Sequence, residues 1–251
     1  MDSTGAYVDS VLDTIPGLVH KEYVRYWRCA DDTVRFRINM GIYLDEQFPN
    51  DVVKGSILTM VDSAMARTFE EDADSVQAEA LTHRVISKQS PRDFMDSWEQ
   101  VFDQLTRING YGPQDDRLFE IPDTRGCTIC HKVYEDTEWA TYGLQFSFHY
   151  HFCTVSRCDA NYFSVNKQTG EVLSISDVLA QYGQSKIGSM LVETYKREAA
   201  LRDFNPGQYT GDDLIARANG VAIISEGILF YFFPYNIGCG VEGQYNLILN
   251  P

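Results

Sequence analysis

Trp139-Ala140-Thr141-Tyr142-Gly143-Leu144-Gln145-Phe146-Ser147-Phe148-His149-Tyr150-His151-Phe152 is the stretch that decides the fold. Phe146, Phe148, Tyr150 and Phe152 recur at every second position. Ser147, His149 and His151 fall between them, and Cys153 continues the second series. Side chains alternate between the two faces of a strand, so the spacing predicts one strand with an aromatic core face and a polar outer face. Asn161 to Asn166 reads as its partner, joined to it through a short loop bounded by Cys153 and Cys158. Leu144 to Cys153 and Asn161 to Val165 are therefore expected as sheet neighbours. Lys167-Gln168-Thr169-Gly170 follows as a turn, with Gly170 supplying a positive φ.

Working outward from this pair, Glu22 to Cys29 and Thr33 to Tyr43 read as two strands around the turn Ala30-Asp31-Asp32. Asp51 to Glu71 reads as a helix, because Ile57, Met60, Val61, Ala64 and Met65 recur at helical spacing. Ser90-Pro91 opens a second helix that puts Phe94, Trp98, Val101, Phe102 and Leu105 on one face and stops near Asn109-Gly110. Thr128 to Glu135 reads as a further strand. Towards the C-terminus, Ser176-Asp177 is expected to cap a short helix. Ser185 to Arg202 forms a longer one with Ile187, Met190, Leu191 and Tyr195 inward. Gly220 to Ile224 and Ile228 to Phe233 flank a tight Ser225-Glu226-Gly227 turn, Pro234-Tyr235-Asn236 breaks the second strand, and Gln244 to Leu249 is the last one. The expected fold class is α+β, an antiparallel sheet covered by helices. A disordered start over 1–5, an α+β region over 6–120 and a C-terminal domain over 121–251 divide the chain, either as separate domains or as one compact unit.

Among 251 residues, 36 Asp and Glu against 21 Lys and Arg leave a net charge of −15. Such a chain repels phosphate backbones, which argues against nucleic acid, and favours encounter with basic partners. The most apolar run, Gly220 to Ile237, is interrupted by Ser225-Glu226-Gly227 too soon to span a bilayer. The start, Met1-Asp2-Ser3-Thr4-Gly5, carries no signal-peptide pattern, so export implies a leader removed upstream. The six cysteines lean towards an oxidising compartment. Cys153 and Cys158 are the disulfide candidates, since paired strand residues bring Cα atoms within bridging distance. The pairing of Cys29, Cys127, Cys130 and Cys239 stays open.

Several short patterns have the spacing of known chemistry. Cys127-Thr128-Ile129-Cys130-His131 matches the c-type haem attachment spacing, but in a strand-like context, so no haem is expected. His149, His151 and Cys153 share a strand face that zinc would accept; a polar face ending in a disulfide is the plainer reading. The acidic stretch from Glu70 to Asp74 lacks the glycine and terminal Glu of a calcium loop. Gly238-Cys239-Gly240-Val241-Glu242-Gly243 spells the dinucleotide fingerprint without the helix that should follow. Ser164-Val165-Asn166-Lys167 spells S-x-x-K at a strand end, without the partner motifs of penicillin-recognising enzymes. Asp159 and Glu135 would serve a polysaccharide hydrolase only if they faced each other across a cleft. No catalytic residue, metal site or cofactor is assigned. Tyr235 is the candidate contact residue, because exposed aromatics beside loops make anchors.

Two blocks carry a family resemblance. Phe163-Ser164-Val165-Asn166-Lys167-Gln168-Thr169-Gly170-Glu171-Val172-Leu173-Ser174-Ile175-Ser176-Asp177-Val178-Leu179 resembles an "F-N-x-D-x-x-T-G-K-x-L-T-L-x-D-L-F" block. Gly227-Ile228-Leu229-Phe230-Tyr231-Phe232-Phe233-Pro234-Tyr235-Asn236-Ile237-Gly238 resembles "G-I-x-F-Y-F-P-P-Y-E-I-x". The second pattern runs on as "x-Y-A-x-G", where Gly243 matches the last glycine and Cys239-Gly240-Val241 replaces the Tyr-Ala. Together the blocks look like the RsiV-like family of bacterial cell-envelope domains. That resemblance covers about 121–251, and the region from Glu22 to Glu71 is similar to the smaller strand-strand-helix domain that often precedes it. It implies an exported protein, periplasmic or on the cell surface, lipid-anchored through a removed leader. The implied activity is binding or sensing, with a basic envelope protein such as a lysozyme, or a cell-wall glycan, as partner. A polysaccharide-active enzyme or its accessory domain, and a metal or haem protein, are the competing readings.

Overall fold

A computed structural model describes residues 17–28, 34–70, 89–108, 123–149, 157–204, 207–237 and 243–251. In chain order the elements are β1 (Leu18–Arg28), β2 (Val34–Asp45), α1 (Asp51–Glu70), α2 (Pro91–Ile108), β3 (Asp123–Glu135), β4 (Trp139–His149) and β5 (Arg157–Asn166). They are followed by α3 (Ile175–Tyr182), α4 (Gln184–Leu201), α5 (Gly211–Arg217), β6 (Gly220–Ile224), β7 (Gly227–Phe232) and β8 (Tyr245–Leu249). The fold is α+β, with a sheet ordered β1-β2-β3-β4-β5 and a second ordered β6-β7-β8. β4 and β5 are neighbours, as the aromatic alternation predicts. The wholly antiparallel sheet does not hold: β2 and β3 run parallel, Arg37 opposite Asp123 through Leu44 opposite Cys130. The physical reason lies in the connection. Parallel neighbours need a long crossover, and α1 and α2 both fall between β2 and β3.

The chain divides into two compact units, 1–131 with 145–158 and 132–144 with 159–251. In the first, β1 and β2 pair antiparallel from Leu18 opposite Asp45 onward. The inward face of α1, Val53, Ile57, Leu58, Val61 and Met65, is buried, as are Phe94, Met95 and Trp98 of α2. Between the helices the Trp98 Nε1 donates to buried Asp62 at 2.8 Å. The Tyr23 hydroxyl donates to the Met95 carbonyl, tying β1 to α2. Ser90 caps α2, accepting from Asp93 N at 3.1 Å while its own N–H donates back to the Asp93 carboxylate.

The core of the second unit joins Val178 of α3, Ile187, Leu191 and Tyr195 of α4, and Leu214 of α5 to Phe230, Phe232, Tyr245, Leu247 and Leu249 of the smaller sheet. β8 alternates buried and exposed residues along its whole length, so one face lies on the helices. The α3 cap is Ser174 and not Ser176: Ser174 accepts from Asp177 N and Asp177 reaches back to Ser174, a complete capping box. Only Ser174 has an acidic residue three positions on. A second box, Thr210 with Asp213, opens the seven-residue helix α5, which periodicity alone does not reveal. Gly170 takes the positive φ expected of its turn, 76°.

Both box carboxyls, Asp177 and Asp213, are held below the usual carboxylate range by hydrogen bonds from their Ser174 and Thr210 partners. A carboxyl depressed in the folded state stabilises it above the unfolded value near 4, and that contribution is lost as pH falls through the folded value. In urea titrations, Asp177→Asn with Asp213→Asn should lower the unfolding midpoint at pH 7. The gap from the unaltered protein should close as the pH is taken well below 4. A gap unchanged at low pH contradicts the capping account. Gly227 gives a second check. Its φ is 136°, and a Cβ there would stand 2.2 Å from the Leu249 carbonyl oxygen. Gly227→Ala should cost at least about 2 kcal/mol, from forced backbone strain plus overpacking. A thermal midpoint within a degree of the unaltered protein would contradict this packing.

Candidate functional site

Cys127 and Cys130 both lie on β3, in register with Gly41 and Leu44 of β2. Three residues apart on a strand, they leave the backbone on opposite faces, so they cannot together grip one edge of a haem. Cys130 is 1% exposed and burial pushes its thiol well above the ordinary range, with Asp45 adding to the rise. His131 is exposed. The S-x-x-K pattern is likewise consumed by structure. Ser164 is fully buried, accepts from Ile223 N at 2.7 Å and sits 2.6 Å from the Thr141 hydroxyl. Lys167 donates to Glu135 at 2.8 Å and to the Asp136 carbonyl at 2.8 Å. Glu135 also receives Lys132 at 2.7 Å, and the two lysines hold its carboxyl below the usual range. A general acid needs the opposite shift, so Glu135 does not suit the acid role of a glycoside hydrolase.

Cys158 and Asp159 are placed in β5, and His149 in β4, by their backbone alone. Cys29, Cys153, His151, Cys239 and the acidic stretch after Glu70 lie outside the described residues, as does the glycine fingerprint between Ile237 and Gly243. Among the described residues no three His, Cys, Asp or Glu side chains converge as metal ligands. Among them, too, no helix is long and apolar enough to cross a membrane.

Two surface features of the second unit remain. The first is Tyr235, 79% exposed with φ of 72°. A bulky side chain in the left-handed region is rare, and it persists only when its surroundings hold it. They do so here. The Asn236 N–H closes the turn on the Phe233 carbonyl at 3.1 Å. Asn219 Oδ1 accepts from both Phe233 N and Asn236 Nδ2 at 2.7 Å. Arg217 donates to the Asn236 carbonyl at 3.2 Å, while its guanidinium lies 5.3 Å from the Tyr209 ring centre. The end of α5 thus clamps the turn and leaves the phenol in solvent.

The second feature is an open cleft of about 530 Å³ where the β6–β7 hairpin tip meets α3. Glu138, Trp139, Gln181, Tyr182, Glu226 and Asn250 line it, over an apolar floor that includes Ile223 and Ile228. Asp136 sets the first of these: its carboxylate accepts from Glu138 N at 2.8 Å and Trp139 N at 2.7 Å, so the turn into β4 presents both side chains. Tyr182 comes from the last residue of α3, and Glu226 from the two-residue hairpin tip. Sequence reading singles out Tyr235 but misses the cleft, whose lining comes from four separate segments.

No family profile and no curated protein matches this sequence. Among solved structures, a member of the DUF3298 family from Bacteroides fragilis is similar over 92% of this chain and 89% of its own, with a TM-score of 0.56 and 8% identity. A DUF3298 family protein from Pseudomonas aeruginosa PAO1 matches 92% of this chain and 88% of its own, with a TM-score of 0.48 and 12% identity. The first likeness shows a shared fold, that of a bacterial domain whose family name marks its function as unknown.

Cys130 should resist iodoacetamide at pH 8 in the folded protein and react once urea unfolds it, because only the exposed thiolate is nucleophilic. Peptide mapping reads this residue by residue. Native labelling of Cys130 at its unfolded rate would contradict the buried position.

Proposed function

We propose that the chain is a non-catalytic binding or sensing module of the bacterial cell envelope, acting outside the cytoplasm on a basic partner protein such as a lysozyme. The observation that carries this reading is Tyr235. It is a large aromatic left 79% exposed, on a turn held by five hydrogen bonds and a strained backbone angle. Rigid aromatic side chains lose little conformational freedom on binding, and they dominate protein interfaces for that reason. Tyr235 also lies inside the second of the two blocks that resemble the RsiV-like family. The charge of −15 supports a cationic partner, which it would steer at low salt. The envelope assignment rests on that resemblance and on six cysteines in a chain of this size. In this reading Cys153 and Cys158 form a disulfide, and residues 121–251 carry the contact.

Titration against a lysozyme and against soluble peptidoglycan fragments, at low and at high salt, tests the proposal. The lysozyme should bind, with an affinity that falls steeply as salt rises. Tyr235→Ala should weaken it about thirty-fold, roughly 2 kcal/mol, without altering the thermal midpoint. No binding of the lysozyme, an unchanged affinity in Tyr235→Ala, or turnover of a glycan substrate would overturn the reading.

A further inference from the structure

The cleft beside the β6–β7 hairpin has a charge pattern that the rest of the second unit does not require. Among the described residues two carboxylates line it, Glu138 and Glu226, and no lysine or arginine does. Glu135, only three residues before Glu138, is bridged by two lysines. Glu138 instead accepts from the Asn166 amide at 3.2 Å, and Glu226 from the Ser225 hydroxyl at 2.6 Å. These neutral donors orient the carboxylates and leave their charge standing. Among the described residues, neither forms an ion pair. Two aromatic side chains, Trp139 and Tyr182, complete the walls, with the amides of Gln181 and Asn250. Lys186 already stands 5.9 Å from the centre of the Tyr182 ring, the approach a cation makes to an aromatic face.

We propose that this cleft receives a lysine or arginine side chain presented by a basic polypeptide. A cation on an apolar stem matches every part of the lining. The stem covers the aromatic walls and the aliphatic residues of the lining, and the head answers the charge of the two carboxylates. The amides supply acceptors for the remaining N–H groups of a guanidinium. A neutral sugar would stack on the same rings but leave both charges unanswered. The volume lies within the range of small-ligand pockets, about 300–1,000 Å³, and the open mouth lets a side chain enter while its backbone stays outside. The proposal rests on the reading that the partner is a basic protein, and it assigns that partner a second contact. The cleft is at the start of β7 and Tyr235 lies beyond its end.

The test is calorimetric titration of the full chain with an acetylated, amidated tetra-arginine peptide, with chitotetraose as the neutral probe. Glu138→Gln with Glu226→Gln should weaken the peptide at least tenfold. Glu193→Gln with Asp203→Asn, an equal change of charge at exposed positions outside the cleft, should change it less than twofold. Equal losses in the two pairs would mean diffuse attraction and overturn the site. So would chitotetraose binding without peptide binding, or no binding of either. Lysozyme binding that survives the Glu138, Glu226 pair overturns the cleft proposal and leaves the Tyr235 reading intact. Peptide capture in the cleft by a chain that binds no lysozyme does the reverse.

Discussion

Two buried hydroxyls and the backbone of half-buried Ile223 fix the geometry on which the surface of the second unit depends. The Thr141 hydroxyl donates to the Ile223 carbonyl at 2.6 Å, and Ile223 N donates to Ser164 Oγ at 2.7 Å. A hydroxyl has a single proton, so Ser164 must donate its own to Thr141, 2.6 Å away, and the ring closes. Both hydroxyl residues are fully buried. On one side β6 pairs with β7. On the other, the backbone of Ile223 finds its partners on side chains of β4 and β5. Removing either hydroxyl would leave a buried donor or acceptor unsatisfied, at about 1–3 kcal/mol. The contact holds β6 in place, and with it the hairpin tip that carries Glu226.

From that fixed strand the surface follows in order. Ile223 and Ile224 form part of the cleft floor. Five residue steps along β7, roughly 17 Å at strand rise, separate Gly227 at the cleft from Phe232, after which the chain turns at Tyr235. The two features are therefore built on opposite ends of one strand. Each is held by directed polar contacts: Asp136 and Asn166 at the turn into β4, and Asn219, Asn236 and the Arg217 guanidinium at the Tyr235 turn. Preorganised side chains lose less freedom on binding than mobile ones, and a binding module gains affinity from that economy.

Much of this fold was legible in the residues. Alternating aromatics place β4, and the Ser225-Glu226 tip between apolar runs places the β6–β7 hairpin. What failed was local or long-range in a specific way. Ser174 and Ser176 are chemically alike, and only the acid three positions on decides between them as the cap. α5 is too short for a helical period, although Thr210-Gly211-Asp212-Asp213 spells its cap. The parallel pairing of β2 with β3 depends on how α1 and α2 cross between them, which no single window of sequence contains. Tyr235 was readable as a loop aromatic next to Pro234. The cleft was not, because residues 138–139, 173–182, 223–228 and 250–251 meet only once β6 is tied to β4 and β5.

Ser164 and Thr141 lock β6 in place as firmly as a neighbouring strand would. Native-state amide hydrogen exchange at Ile223 reads that lock directly. Its N–H should exchange only with global unfolding of the unit, at a protection matching that of Phe230 in the centre of the sheet, and Ser164→Ala should lower Ile223 protection by far more than that of Phe230. Exchange of Ile223 at the rate of a frayed edge amide, or equal losses at both residues, would contradict the account.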